Sequence, residues 1–167
     1  MYKGAYITRI IFCNRKLKLY SIYLMDSPDY PELRDKPYIL DKKIILSRSL
    51  QKIRSFAKNI TGIFDNIYYN QEDVIYPDLA IQEVLENNSS GSIIINCLNL
   101  YFDYLYVGLN LEISQKNKLI LNKFADWVTY HGDIQPFEKT HKQFNRKIVI
   151  DFINWGTGEI LNNAIIL

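Results

Sequence analysis

His131 and His141 are the only histidines of the chain, and Asp133 and Glu138 lie near them, so the first chemistry to weigh is a small metal or acid–base cluster. Their spacing matches no standard zinc pattern. We read them as surface or helix-end histidines and assign no metal. Gly156-Thr157-Gly158-Glu159 has the glycines of a phosphate loop. It lacks the lysine and the serine or threonine that such a loop uses, and no strand-then-helix context surrounds it. Neither Ser89-Ser90 nor Cys97 carries the local features of a nucleophile elbow or an activated thiolate. The sequence therefore predicts no enzyme: no catalytic residue, no metal and no cofactor.

A second set of residues suits binding rather than catalysis. Residues 61–113 contain eight carboxylates and no lysine or arginine, whereas residues 1–60 hold thirteen basic residues against five acidic ones. In the acidic third, Asp65, Glu72, Asp73, Asp78, Glu83 and Glu86 are interleaved with Tyr68, Tyr69 and Tyr76. Clustered acids raise the encounter rate with a cationic partner and enforce specificity. Tyrosine is a residue type that anchors interfaces. These nine residues are the predicted partner-binding set. The bland alternative is that the acidic third neutralises the basic one or that both are solvated faces. A third use of charge is the basic helix around residues 48–58, where Arg48, Lys52, Arg54 and Lys58 could contact the phosphates of a nucleic acid.

Positioning these residues requires a core. Its most apolar stretch is Ser92 to Leu109, in which Ile93–Leu109 is interrupted by Asn96, Asn99, Asp103 and Gly108. It is too short and too polar to cross a bilayer. Length favours a buried helix, with sheet-core strands as the alternative. On a helix, Asn96, Asn99 and Asp103 share one polar stripe.

Ahead of it, residues 5–13 and 17–25 read as a β-hairpin with both faces apolar, which must therefore be covered on each side. Residues 27–37 read as a Pro-rich surface loop and residues 38–46 as a third strand. Leu46, Leu50, Ile53, Ala57 and Ile60 have the spacing of an amphipathic helix. Residues 62–77 read as loop or short strand, and Pro77-Asp78 opens a short helix. Ser114 caps a helix that His131-Gly132 closes. A polar segment with Pro136 and Phe137 follows, then a last helix over about residues 147–161. Gly156 and Gly158 inside that helix predict either close approach to a neighbour or an earlier end.

Together these elements predict one α+β domain over residues 1–167: an N-terminal antiparallel hairpin or small sheet with four to five helices around a central buried helix. Cys13 and Cys97 read as free buried thiols. With no signal-peptide pattern at the N-terminus, cytoplasmic residence and no membrane contact are expected.

Three segments within residues 95–161 carry a resemblance: Asn96-Cys97-Leu98-Asn99-Leu100-Tyr101-Phe102-Asp103, Lys123-Phe124-Ala125-Asp126-Trp127 and Phe152-Ile153-Asn154-Trp155-Gly156. This half is similar to the helical part of small bacterial immunity proteins that neutralise toxins delivered between competing cells, as in contact-dependent and polymorphic toxin systems. The resemblance implies a binding role without catalysis and carries over no residue. Beside the charge pattern, it leads to an expected partner: a cationic protein toxin such as a nuclease, occluded by acids and tyrosines. The alternative expectation is a nucleic-acid-binding protein that uses the basic helix.

Overall fold

The computed structural model of the 167-residue chain describes residues 1–26, 35–60, 62–87 and 91–167, apart from the side chains of residues 70–72. Most of the predicted loop over residues 27–37, and Ser89-Ser90, lie outside the described residues.

The protein is α+β, built on a seven-stranded sheet. Strands β1 (Gly4–Phe12) and β2 (Leu17–Met25) form the expected antiparallel hairpin, with Thr8 opposite Ser21. Short strands β3 (Lys36–Pro37) and β4 (Ile39–Leu40) follow, then β5 (Lys43–Ser47), β6 (Ile67–Ile75) and β7 (Ala164–Ile166). The main path runs β4-β5-β2-β1-β6, with β3 paired to β2 and β7 to β5. Six α-helices are present among the described residues: α1 (Leu50–Lys58), α2 (Pro77–Glu86), α3 (Ser92–Phe102), α4 (Gln115–His131), α5 (Ile134–Thr140) and α6 (Arg146–Asn162). A π-helical segment, Asp103–Gly108, continues α3.

The N-terminal hairpin belongs to a sheet of seven strands, and five helices accompany α3 among the described residues. The predicted third strand over residues 38–46 is itself a hairpin. Asp41 and Lys42 adopt φ of 50° and 63°, and Ile39 and Leu40 fold back onto Ile44 and Lys43. Two consecutive positive φ values define the tight turn whose twist suits a two-residue β-loop. Leu46, expected on the first helix, is instead a fully buried strand residue. Ser49 starts α1 by accepting a hydrogen bond from the Lys52 amide. The segment with Pro136 and Phe137, read as irregular, is helix α5, capped by Asp133.

Because side chains alternate across a strand, β2 sends Leu19 and Tyr23 to one side and Ile22 and Leu24 to the other, and both sides are covered. The larger layer holds α2, α3, α4 and α6, with α5 completing it through Phe137; the smaller one holds α1. The Ser92–Leu109 stretch is helical from Ser92 to Gly108, with Gly91 at the cap position. Its buried side, Ile94, Cys97, Leu98, Leu100, Tyr101, Tyr104 and Leu105, fills the larger layer. A buried hydrogen bond of 2.8 Å between the hydroxyls of Thr8 and Tyr104 fastens the π segment to β1.

Gly156 marks close approach, one of the two predicted alternatives. A Cβ there would stand 2.7 Å from Tyr101 Cδ2 and 2.9 Å from Leu105 Cδ1, whereas Gly158 faces open space. The contact is fastened by Thr157: its hydroxyl donates to the Ile153 carbonyl, so the Tyr101 hydroxyl donates to it, at 2.7 Å. Gly156→Ala should destabilise the protein by about 2 kcal/mol, because overpacking outweighs a gain of about 1 kcal/mol in helix propensity. Gly158→Ala should stabilise it by up to about 1 kcal/mol. Urea denaturation of both variants checks this; equal stabilisation by the two would contradict the close contact.

Candidate functional site

The polar stripe on α3 opens onto a cleft of about 250 Å³ between that helix and the sheet. Asn96, Asn99 and Asp103 line it from the helix side, Tyr6 and Tyr23 from β1 and β2, Asp73 from the edge strand β6, and Asp35 from just before β3. Two tyrosine–carboxylate pairs organise it. Tyr6 donates to Asp73 Oδ2 at 2.6 Å, Tyr23 donates to Asp103 Oδ2, and the two rings lie 5.3 Å apart between centroids. Asp35 Oδ1 accepts from the Asp26 amide at 2.5 Å. Among the described residues, none of these three carboxylates forms an ion pair with a lysine or arginine, and no basic residue lines the cleft.

Burial, the hydrogen bond to a carboxylate and the nearby negative charge all push the Tyr6 and Tyr23 phenols far above the ordinary value. Both therefore remain neutral donors. Burial also raises the Asp103 carboxyl above its ordinary range; the Tyr23 hydrogen bond opposes this and repulsion from Asp35 adds to it. The native state thus holds the Asp103 proton more tightly than the unfolded chain does. The stability linked to that group is present in full below about pH 4 and is lost as pH rises through the raised value. Asp103→Asn removes this dependence, so the variant's urea midpoint should gain on that of the native protein between pH 4 and pH 7. A difference that stays flat over that window would contradict the raised value.

Chemically, the cleft offers the carboxylates of exposed Asp35 and Asp73 and of half-buried Asp103 beside neutral hydroxyls, with no basic partner among the described residues. It suits a cationic group that carries hydrogen-bond donors, because converging carboxylates strengthen that attraction.

Of the nine residues singled out from the sequence, the structure places Asp73 in this cleft and none of the others whose side chains are described. Asp65 is exposed just before β6, and Asp78 lies past the other end of that strand, in the first turn of α2. Tyr68 is half-buried against Gly4, which has no side chain to obstruct the ring. Tyr69 is partly exposed beneath Arg54 and Lys58, whose charged ends stand 5.1 and 6.0 Å from its ring centroid. Glu72 pairs through its backbone with Ile7, and its side chain lies outside the described residues. Tyr76 occupies the cap position of α2, where Asp78 accepts from the Asn14 amide at 2.6 Å and ties the first hairpin to the helix. Glu83 is half-buried on α2, and Glu86 is exposed and accepts from Gln82.

Tyr6, Tyr23, Asp35, Asn96, Asn99 and Asp103 complete the cleft and were not in the predicted set. The three-and-four spacing of Asn96, Asn99 and Asp103 was the available signal for half of them. Asp103 sits where α-helix passes into π-helix, with the Leu109 amide bonded to the Tyr104 carbonyl five residues back. Widened turns of this kind recur at functional sites.

The other candidates resolve locally. His131 packs tilted against Trp127 and His141 stacks on Phe137, with ring centroids 4.1 and 3.9 Å apart. Among the described residues, no group of three or more His, Cys, Asp or Glu side chains is placed to hold a metal ion. Gly156-Thr157-Gly158-Glu159 lies inside α6 rather than in a loop. The thiols are free; Cys97 is fully buried, which pushes its thiol up, whereas Cys13 is exposed rather than buried as expected. The basic helix α1 keeps Lys52 and Lys58 exposed, with Arg54 half-buried and Arg48 just ahead of the helix. No helix among the described residues is long and apolar enough to cross a membrane.

No family model matches the chain, and no solved structure matches it. Among curated proteins it is similar to the BLOC-2 complex member HPS5 homolog of Aedes aegypti, at 24% identity over 129 residues. The match takes in 75% of this chain and 15% of that protein, so the chain spans a small fraction of the relative's length.

Proposed function

We propose that the protein is a binding inhibitor: a cytoplasmic immunity protein that neutralises a cationic toxin domain by forming a one-to-one complex with it. The observation that carries this reading is the convergence of Asp35, Asp73 and Asp103 on one open cleft with no lysine or arginine paired to them among the described residues. A nuclease toxin presents lysines and arginines because its own substrate is a polyanion. A guanidinium or ammonium group from such a surface enters the cleft and meets carboxylate oxygens already oriented by Tyr6 and Tyr23. Asn96 and Asn99 supply further polar groups at the rim. Asp65, Glu83 and Glu86, further away, add to the field that steers the approach. Inhibition is by occlusion and needs no chemical step.

The test is co-expression with the toxin encoded beside this protein's reading frame. The expected results are restored growth of the host and a one-to-one complex whose association slows with added salt. A nucleic-acid-binding protein would instead show steeply salt-dependent binding to RNA or DNA that is lost on changing Arg48, Lys52, Arg54 and Lys58. That result, with no effect of the cleft residues, would overturn the inhibitor reading.

A further inference from the structure

The outward side of α4 carries a pattern that neither the core nor the cleft explains. Lys116, Leu119, Lys123, Asp126 and Tyr130 follow one another at steps of three and four. Steps of three and four place residues on one stripe of a helix. All five are exposed, and Tyr130 and Leu119 are 82% and 53% accessible, large values for apolar side chains on a helix that packs into the core. From Leu119 to Tyr130 the order along the stripe is apolar, positive, negative, apolar.

Read from the other end, that order is its own electrostatic complement. When a second α4 runs antiparallel to the first, Lys123 faces Asp126 and Leu119 faces Tyr130. One register, centred between Phe124 and Ala125, satisfies both pairs, and two-fold symmetry makes each occur twice. Neither Lys123 nor Asp126 forms an ion pair within the chain among the described residues, although Lys118 pairs with Glu112 and Lys147 with Asp151. The surface beside the stripe is firmly held. Trp127 Nε1 donates to the Asp133 carbonyl at 2.6 Å, and the His131 and His141 rings pack beside it around a groove of about 280 Å³. A preorganised surface loses less freedom on association.

We propose that this face of α4 is a homodimer interface in which two copies of the chain pack their α4 helices antiparallel about a two-fold axis. Such an isologous contact requires a self-complementary surface, and the stripe provides one. The proposal does not rest on the inhibitor reading, since none of these residues lines the acidic cleft.

Sedimentation of the full chain from low micromolar to near-millimolar concentration, at low and at high salt, tests it. A monomer–dimer equilibrium that weakens with salt is expected. Lys123→Asp and Asp126→Lys, made singly, should each weaken the dimer by at least about tenfold, because each places like charges opposite one another twice. The double variant Lys123→Asp/Asp126→Lys should return the dimer to within about threefold of the native one, since it rebuilds the same pairs with the signs exchanged. Circular dichroism confirms that each variant is folded, as substitutions at exposed positions allow. A chain that stays monomeric throughout, a dimer indifferent to the single reversals, or a double variant no better than either single one would each overturn the proposal.

Discussion

Arg146→Ala should lower the unfolding free energy by about 3 kcal/mol, read as a fall in the urea midpoint at unchanged slope. Arg146 stands at the junction of three helices. Its guanidinium grips both Glu138 oxygens at 2.8 Å and donates to the Val84 and Leu85 carbonyls at 2.9 and 3.1 Å and to Asn87 Oδ1 at 3.3 Å. The Val84 and Leu85 carbonyls belong to the last turn of α2, where no further helical amide follows to satisfy them. Truncation leaves them and a half-buried carboxylate without their donor, which is why the effect exceeds that of an exposed ion pair. Arg146→Lys should recover less than half of the loss, because an ammonium cannot reproduce the planar fork. A change below about 1 kcal/mol in the alanine variant would show that the junction does not hold α2, α5 and α6 together.

Neutralising the cleft should have the largest effect on association. In the double variant Asp73→Asn/Asp103→Asn, affinity for the toxin domain should fall by about a hundredfold, mainly through faster dissociation, because the two carboxylates held by Tyr6 and Tyr23 in the cleft are lost together. Asp65→Asn and Glu86→Gln should change affinity by less than about threefold and act on the association rate, as exposed charges outside the contact do. The comparison separates a local contact from general acidity. If all four positions mattered equally, the field of the central third rather than the cleft would govern binding. Tyr6→Phe and Tyr23→Phe provide a finer readout, since each removes the donor that orients one carboxylate and leaves the charge in place.

How much of this was legible in the sequence follows from how local each determinant is. Helix α4 was readable end to end: Ser114 accepts from the Asn117 amide, the buried side repeats at helical spacing, and Gly132 takes a φ of +70° at the stop. The β4–β5 hairpin was not, because its positive-φ turn is made by Asp41-Lys42 rather than by glycine or asparagine, and the apolar run continues through it. Strand β6 was obscured by an irregularity. Its register against β1 shifts by three residues between Tyr68 and Glu72, which destroys the alternation that marks a strand. The parallel pairing of β7 with β5 joins residues more than a hundred positions apart, a contact no local pattern announces.

The candidate site divides along the same line. The α3 stripe of Asn96, Asn99 and Asp103 was visible as spacing, and the excess of acid in the central third as composition. That Tyr6 and Tyr23 would meet Asp73 and Asp103 depends on the order of β2, β1 and β6 in the sheet, which only the folded chain determines. The tyrosines chosen from the sequence, Tyr68, Tyr69 and Tyr76, sit on the same strand as Asp73 or beside it, yet none of them lines the cleft.

The central claim is that the cleft receives a cationic side chain. The most direct measurement is an NMR titration of the native chain with arginine amide, following the side-chain amides of Asn96 and Asn99 and the rings of Tyr6 and Tyr23. The account predicts saturable shifts at these four residues, with millimolar affinity, that disappear in Asp73→Asn/Asp103→Asn while the exposed Asn122 amide stays still. Shifts that fail to saturate, that spread over the acidic third as a whole, or that persist in the double variant would contradict it.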